Sequence, residues 1–188
     1  SKDRPSLLYS FSTVLAFNNL SIVEANIYTL RDHIFDVFKI VRSTGIPIDY
    51  ADIFALQKQV RDDLKRVCIN QEPLSQIFKG RSLSVSAEQK KIKSVKLKIK
   101  IIGRAVKVET HNLIGTFMVL TKVFAQFNME IQKAVLDTQQ ETASNIFYMR
   151  PNDVHYIMEN QEQFLRNLKQ ALHQLINSKA ILFDAPSL

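Results

Sequence analysis

The chain opens on an apolar pattern of helical spacing that runs from residue 7 to residue 15. Apolar side chains three and four positions apart fall on one face of an α-helix, so this run predicts a helix. Asn18 and Asn19 follow it, and Asn often ends a helix because it tolerates the left-handed backbone conformation. Two β-like runs come next, at 20–30 and 33–41, with the polar pair Arg31-Asp32 between them. The opening therefore predicts a helix followed by a β-hairpin.

The same pattern returns 109 residues later without a gap. Residues 117–124 repeat the helical spacing, Asn128 ends it, and β-like runs at 130–138 and 144–149 flank a polar turn at 139–141. Identical residues at this offset are Val14 and Val123, Ala16 and Ala125, Asn19 and Asn128, Ile22 and Ile131, Ala25 and Ala134, Thr29 and Thr138, and Phe38 and Phe147. The identities and the shared periodicity together indicate a duplicated unit.

A second helix is expected in each copy. In the first copy it starts at Ile48-Asp49, and apolar residues between 53 and 67 recur on one face. In the second copy, Asn152-Asp153 are expected to cap a helix whose apolar face runs from position 157 to position 175. Asn and Asp suit a capping position because their side chains accept hydrogen bonds from the first free amides of a helix.

Three further strands complete the pattern. Residues 95–101 alternate strictly between apolar residues and lysine, 105–110 follow the turn Gly103-Arg104, and we expect a last strand at 180–183. The second copy then has the order strand, helix, strand, strand, helix, strand, which is the split β-α-β arrangement of ferredoxin-like domains. The first copy has everything except the opening strand, so we expect the chain to begin inside a domain.

We therefore predict an α+β protein made of two ferredoxin-like units, with antiparallel sheets and helices on one face. The first unit is expected to cover residues 1–102, including a basic connector at about 71–94, and the second unit 103–188.

The composition of the 188 residues, with 46% hydrophobic and 23% charged side chains, is that of an ordinary soluble globular chain. No apolar run approaches the roughly 18–20 residues that span a bilayer. The single Cys68 excludes an internal disulfide and fits a cytoplasmic location. The four histidines have no metal-ligand spacing, so we expect no metal and no cofactor.

The net charge of +7 is concentrated in one segment. Between Lys79 and Lys107 the chain has ten basic residues and one acid, Glu88. The basicity is therefore local, which disfavours nucleic-acid binding over the whole surface. The lysines at 96, 98 and 100 fit two interpretations: the solvated face of a half-buried strand, or a docking face for an acidic or phosphate-bearing partner.

Each of the two copies carries a resemblance to a known family. R-P-S-L-L-Y-S-F-S and L-S-I-V-E-A-N-I-Y-T-L-R-D-H-I-F-D-V-F-K-I-V resemble the first of the tandem ACT domains that end bacterial PII uridylyltransferase/uridylyl-removing enzymes. N-L-I-G-T-F-M-V-L-T-K-V-F and M-E-I-Q-K-A-V-L-D-T resemble the second ACT domain. The basic connector is also similar to that of the family.

The resemblance implies a regulatory role in nitrogen metabolism. In that family the ACT pair senses glutamine and controls whether the enzyme adds UMP to the PII signal protein or removes it. The partners it implies are glutamine, upstream catalytic domains of the same chain, the PII protein and a homodimer formed through ACT sheets. The sequence contains no nucleotidyltransferase or His-Asp metal motif, so we expect no catalytic activity from these residues.

A loop that leads into a helix presents free backbone amides, which suit the carboxylate of an amino acid. The family has Asp-Arg-Pro-Gly in this loop, and each copy keeps half of it: Asp3-Arg4-Pro5 precedes Ser6, whereas Gly115 follows Asn112-Leu113-Ile114. By resemblance, residues that open the second strand of a neighbouring unit complete such a site. The candidate ligand-binding residues are Asn112, Leu113, Ile114, Gly115, Thr116, Asp3, Arg4, Ser6, Asn19, Leu20, Asn128 and Met129.

Two functions of different classes remain open at this point. The chain is either an allosteric amino-acid sensor, with the Gly115 loop as the better site, or an interaction module whose units pair without binding a ligand. In the second case the two loops only cap helices, with Ser6 as a capping residue. Nucleic-acid binding is a distant third possibility, because the aromatic pattern of RNA-binding strands is absent.

Overall fold

The computed structural model describes residues 6–30, 33–42, 48–83, 92, 94–139 and 142–177. Within them the protein is a mixed α+β structure with one two-stranded and one four-stranded antiparallel sheet. None of the described helices is both long enough and apolar enough to cross a membrane.

The first repeat begins with helix α1 (Leu7–Phe17) and the hairpin of β1 (Leu20–Leu30) and β2 (His33–Arg42). Helix α2 (Tyr50–Cys68) follows, and Asp49 caps it as expected by accepting a hydrogen bond from the amide of Ala51. A short helix, α3 (Leu74–Ile77), lies in the connector, and strand β3 (Leu97–Ile102) follows it.

The second repeat begins with strand β4 (Ala105–His111) and helix α4 (Thr116–Gln126). Strands β5 (Ile131–Gln139) and β6 (Thr142–Met149) form its hairpin, and helices α5 (Pro151–Glu159) and α6 (Gln161–Asn177) follow. The hydrogen-bonded order of the larger sheet is β3-β4-β6-β5. This order and the antiparallel pairing are consistent with a ferredoxin-like arrangement.

The 109-residue repeat holds at the level of the backbone. Helices α1 and α4 start and end at equivalent residues, and Asn19 and Asn128, which follow them, have φ angles of 57° and 53°. The hairpins have the same pairing, because Ala25 lies opposite Phe38 where Ala134 lies opposite Phe147. Each hairpin also has an irregularity at the same place, between Ile22 and Glu24 in one and between Ile131 and Lys133 in the other. The duplication predicted from the sequence is thus present in the fold.

The two repeats meet through equivalent elements. Strand β1 lies beside β5, and α1 packs against α4. The hydroxyls of Ser12 and Thr121, which are 109 positions apart and almost fully buried, lie 3.0 Å from each other. Contacts between equivalent residues are the mark of a two-fold arrangement. The repeats are therefore related by an approximate two-fold axis that passes between α1 and α4.

One hydrophobic core extends across this axis. Leu8, Ala25 and Ile27 of the first repeat belong to the same cluster as Phe124 and Phe147 of the second. A second cluster lies among the helices, where the ring of Phe17 on α1 packs tilted against that of Phe78, with ring centroids 4.7 Å apart. The apolar face predicted for α6 is buried from Phe164 to Leu175.

In the second repeat, two details of the helix that follows the hairpin differ from the prediction. Asn152-Asp153 are not a capping pair, because Arg150 stands at the N-cap, and Pro151 is the first helical residue, a position that suits proline. The Asp153 carboxylate instead accepts from the backbone amide of Glu130 at 3.1 Å. The helix is also divided at Asn160 into α5 and α6.

Strand β3, expected at the end of the first unit, is hydrogen-bonded to β4, with Leu97 opposite Thr110 and Ile102 opposite Ala105. A division of the chain between residues 102 and 103 would therefore cut a hairpin. The connector also contributes to the core, because Ile77, Phe78 and Leu83 are buried. The last strand predicted at 180–183 lies outside the described residues.

Candidate functional site

A cavity lies between the two repeats, at the loop that follows β4. Its walls come from α1 and β1 of the first repeat and from β5, β6 and the start of α4 in the second repeat. The lining residues are Ser12, Ala16, Leu20, Ser21, Ile22, Asn112, Leu113, Gly115, Thr116, Phe117, Met118, Leu136, Ala143 and Asn145. The space amounts to about 420 Å³ when its open mouth is counted, but only about 30 Å³ of it can hold the centre of a water molecule. The enclosed part of the cavity is therefore narrow.

The loop between β4 and α4 is held by its own hydrogen bonds. The Thr116 hydroxyl accepts from the Leu113 amide at 3.2 Å and donates to the His111 carbonyl at 3.3 Å. The Thr116 amide donates to the Leu113 carbonyl at 3.0 Å. Gly115 has a φ of 85°, in the left-handed region that side chains disfavour. The loop is thus a defined turn that ends on a glycine.

Packing also requires this glycine. A Cβ atom at position 115 would lie 3.2 Å from methyl carbons of Leu83 and Leu175. Gly115 therefore has a structural role that is independent of any ligand, and a large substitution here would disturb the fold as well as the cavity.

The first turn of α4 faces the cavity through Phe117 and Met118. The first intrahelical hydrogen bond of this helix runs from the Val119 amide to the Gly115 carbonyl at 2.9 Å. The amides of Phe117 and Met118 precede it, so they have no partner within the helix. The first turn contains no acidic side chain to offset the positive end of the helix dipole. This end of the cavity can accept an anion such as a carboxylate.

The floor of the cavity contains a buried amide. Asn145 lies on β6, is 2% exposed, and its Nδ2 has no hydrogen-bond partner among the described residues. Thr110 on β4 lies opposite Ala143 and is 3% exposed, and its hydroxyl likewise lacks a partner in the described part of the chain. The two residues are diagonal neighbours on the same buried face of the sheet. Buried polar groups are nearly always paired, so two unpaired ones beside a cavity require an explanation.

The cavity is also free of ionisable groups. None of its fourteen lining residues, all of them described, is an Asp, Glu, Lys, Arg or His. A charged group that entered the floor would lose its hydration without gaining an opposite charge.

Charged and titratable groups lie behind the cavity wall. The buried Asp63 carboxylate accepts hydrogen bonds from Asn18 Nδ2 at 3.0 Å, Gln59 Nε2 at 3.2 Å and Arg81 Nη1 at 2.9 Å. Because Asn18 ends α1, this cluster fixes the end of α1 that leads into the cavity. Burial raises the pKa of the Tyr9 phenol on α1 above its ordinary value, so this side chain stays neutral.

The structure brings part of the predicted ligand-binding set together. Asn112, Leu113, Gly115 and Thr116 line the cavity, and so does Leu20 at the start of β1 in the other repeat. Ile114 lies within the same loop, and its side chain is 9% exposed.

The remaining candidates lie elsewhere. Asn19 precedes Leu20 but does not line the cavity, and Asn128 and Met129 are the equivalents in the second repeat. Ser6 stands at the N-cap of α1, the position considered for it, and its carbonyl accepts from the Ser10 amide at 3.0 Å, but its side chain makes no capping hydrogen bond. Asp3 and Arg4 lie outside the described residues.

Sequence reasoning missed the residues that approach the cavity from α1 and the sheet, chiefly Ser12, Ser21, Ala143 and Asn145. A signal for one of them was available. In the strand A-S-N-I-F, Asn145 falls in phase with Ala143 and Phe147 on the buried side, which marks a buried polar residue. The contribution of α1 could not be seen, because it depends on how the repeats pack.

Neither metal-ligand chemistry nor comparison with known proteins identifies a function for this cavity. The described residues contain no cluster of His, Cys, Asp or Glu side chains that could hold a metal ion. No protein-family model and no curated protein matches the chain.

Proposed function

We propose that the chain is an amino-acid-sensing regulatory region built from two ferredoxin-like ACT units, of the kind that ends PII uridylyltransferase/uridylyl-removing enzymes. In this proposal glutamine binds in the cavity between the repeats and controls, through the upstream catalytic domains, whether the PII protein is modified. The observation that carries it is the joint construction of the cavity, from the Gly115 loop of one repeat and the start of β1 in the other.

The chemistry of the walls suits an amino acid. Its carboxylate would bind the free amides of Phe117 and Met118, where the helix dipole favours negative charge. Its ammonium group needs oxygen acceptors, and the side chains of Ser21 and Asn112 supply them. The ligand side chain would then extend over the apolar floor of the sheet.

The narrow cavity gives the proposal a regulatory mechanism. Because only about 30 Å³ admits the centre of a water molecule, a bound amino acid must move the α1-β1 wall away from the Gly115 loop. Ser12 lies in that wall and also contacts Thr121 at the two-fold axis. Binding would therefore change the arrangement of the repeats, and this difference is what an attached domain could sense.

Calorimetric titration of the chain with L-glutamine, L-glutamate and L-asparagine tests the proposal. Ser21→Trp places a large side chain in the mouth of the cavity and should weaken glutamine binding at least about tenfold, a loss of about 1.4 kcal/mol. Ser144→Trp is the matched control, since Ser144 is also half-buried on a strand but does not line the cavity.

Unchanged glutamine affinity in Ser21→Trp would place the ligand elsewhere. If the unmodified chain binds no amino acid, the sensing function is wrong and the interaction module is the better description.

A further inference from the structure

We infer that Asn145 determines the specificity of this site, because its buried amide selects a ligand side chain that is uncharged and ends in a hydrogen-bonding group. The inference rests on the proposed function, because it concerns the ligand of the same cavity. It concerns which residue of the chain selects the ligand, whereas the proposed function concerns whether glutamine binds in the cavity.

The first observation is the unpaired amide. Asn145 is almost fully buried, lines the cavity, and has an Nδ2 group without a partner among the described residues. A buried donor without an acceptor is unfavourable, and a ligand that supplies the acceptor removes this cost. A ligand carboxamide also supplies a donor, so it can complement both ends of the Asn145 side chain.

The second observation is the absence of charge from the lining residues. A carboxylate side chain would enter a floor that offers no cation, and an ammonium side chain would find no anion. An aliphatic side chain would leave the Asn145 amide unpaired. Sites built to hydrogen-bond a ligand discriminate strongly against analogues that lack the bonding group, for this reason.

The first repeat has an equivalent position with which Asn145 can be compared. Asp36 lies opposite Ile27 in the first hairpin, as Asn145 lies opposite Leu136 in the second. The two positions are 109 residues apart, and an ionisable carboxyl replaces the amide at the first of them, where the residue is also only half-buried. The neutral group is therefore specific to the repeat whose loop, with its glycine, lines the cavity.

The test compares L-glutamine with L-norleucine, an aliphatic amino acid whose unbranched side chain is as long as that of glutamine but has no hydrogen-bonding group. The unmodified chain should bind glutamine at least about tenfold more tightly than norleucine, and L-glutamate more weakly than glutamine. In Asn145→Leu the preference should reverse, because glutamine would then bury its amide against an apolar group. If Asn145 has a purely structural role, its replacement would weaken the binding of both ligands equally and leave the ratio of their affinities unchanged.

Two further variants keep the test decisive. Asn145→Ala removes the same amide without added bulk, and it should give the same reversal if Asn145→Leu does not fold. Asp36→Asn is the matched control, and it should leave the ratio of affinities unchanged. If the chain binds glutamine but the Asn145 variants keep the original ratio, the inference is wrong and the proposed function stands. If the unmodified chain binds no amino acid, both are wrong.

Discussion

Gly115 and Ser6 occupy equivalent positions in the two repeats, but their φ angles have opposite signs, 85° and −82°. The two loops therefore enter their helices differently, although the helices start at equivalent residues. At this scale the duplication is broken, and within the described residues the cavity is lined by Gly115 but not by Ser6. Single residues thus distinguish the two repeats at this loop.

At the residue scale, we predict that Gly115→Ala lowers the free energy of unfolding by about 2–3 kcal/mol. The left-handed backbone costs a residue with a Cβ atom about 1 kcal/mol, and the contacts with Leu83 and Leu175 at 3.2 Å add strain. Gly103→Ala is the control, because Gly103 also has a positive φ, 58°, but its added Cβ would meet nothing within 4 Å. Denaturant unfolding measures the free energy of unfolding of both variants, and the difference between their losses gives the contribution of packing at position 115. Equal losses in the two variants would contradict the packing role of Gly115.

At the scale of elements, the contact between α1 and α4 determines how the repeats meet. Each helix places a hydroxyl at the axis, Ser12 on α1 and Thr121 on α4, and both also lie within hydrogen-bond distance of carbonyls of their own helices. The pair is almost fully buried between the two helices, so it fixes how they align.

We predict that Thr121→Val lowers the free energy of unfolding by about 1–2 kcal/mol. Valine preserves the shape of threonine but leaves the buried Ser12 hydroxyl without its partner across the axis. Thr121→Ser retains the hydroxyl and removes only a methyl group, so it separates the hydrogen bond from the packing. Thermal unfolding followed by circular dichroism measures both variants. A loss in Thr121→Val no greater than that in Thr121→Ser would show that the hydrogen bond contributes nothing.

Much of the element pattern could be predicted from the sequence, because local signals determine it. The hairpins follow from alternating apolar residues, and Asn19 and Asn128 mark the ends of helices that have a left-handed residue after them. The partner of β3 could not be predicted, since an alternating strand shows which face is buried and not which strand pairs with it. The break at Asn160 was missed because the apolar spacing of the run is continuous.

The candidate site could likewise be predicted only where a local signal in the sequence marks it. The Gly115 loop carried a local signal, whereas Ser12, Ser21 and Asn145 reach the cavity only through the packing of the two repeats.

At the scale of the whole molecule, the duplication creates a site that neither repeat forms alone. The loop of the second repeat supplies helix amides, the first repeat supplies the opposite wall, and the sheet beneath supplies Asn145. A ligand held between two such bodies changes their relative position when it enters a narrow space. Under the proposed function, the location of the cavity would connect binding to a movement that the proposed upstream catalytic domains could detect.

The most direct test of this account is a map of the backbone amide resonances of the chain during titration with L-glutamine. We expect saturable shifts at Gly115, Phe117 and Met118 and, across the axis, at Ser21 and Ile22, with smaller changes elsewhere. Shifts on both sides of the cavity would establish a ligand site shared by the two repeats. Resonances that do not move with any amino acid, or shifts confined to residues away from the cavity, would contradict the account.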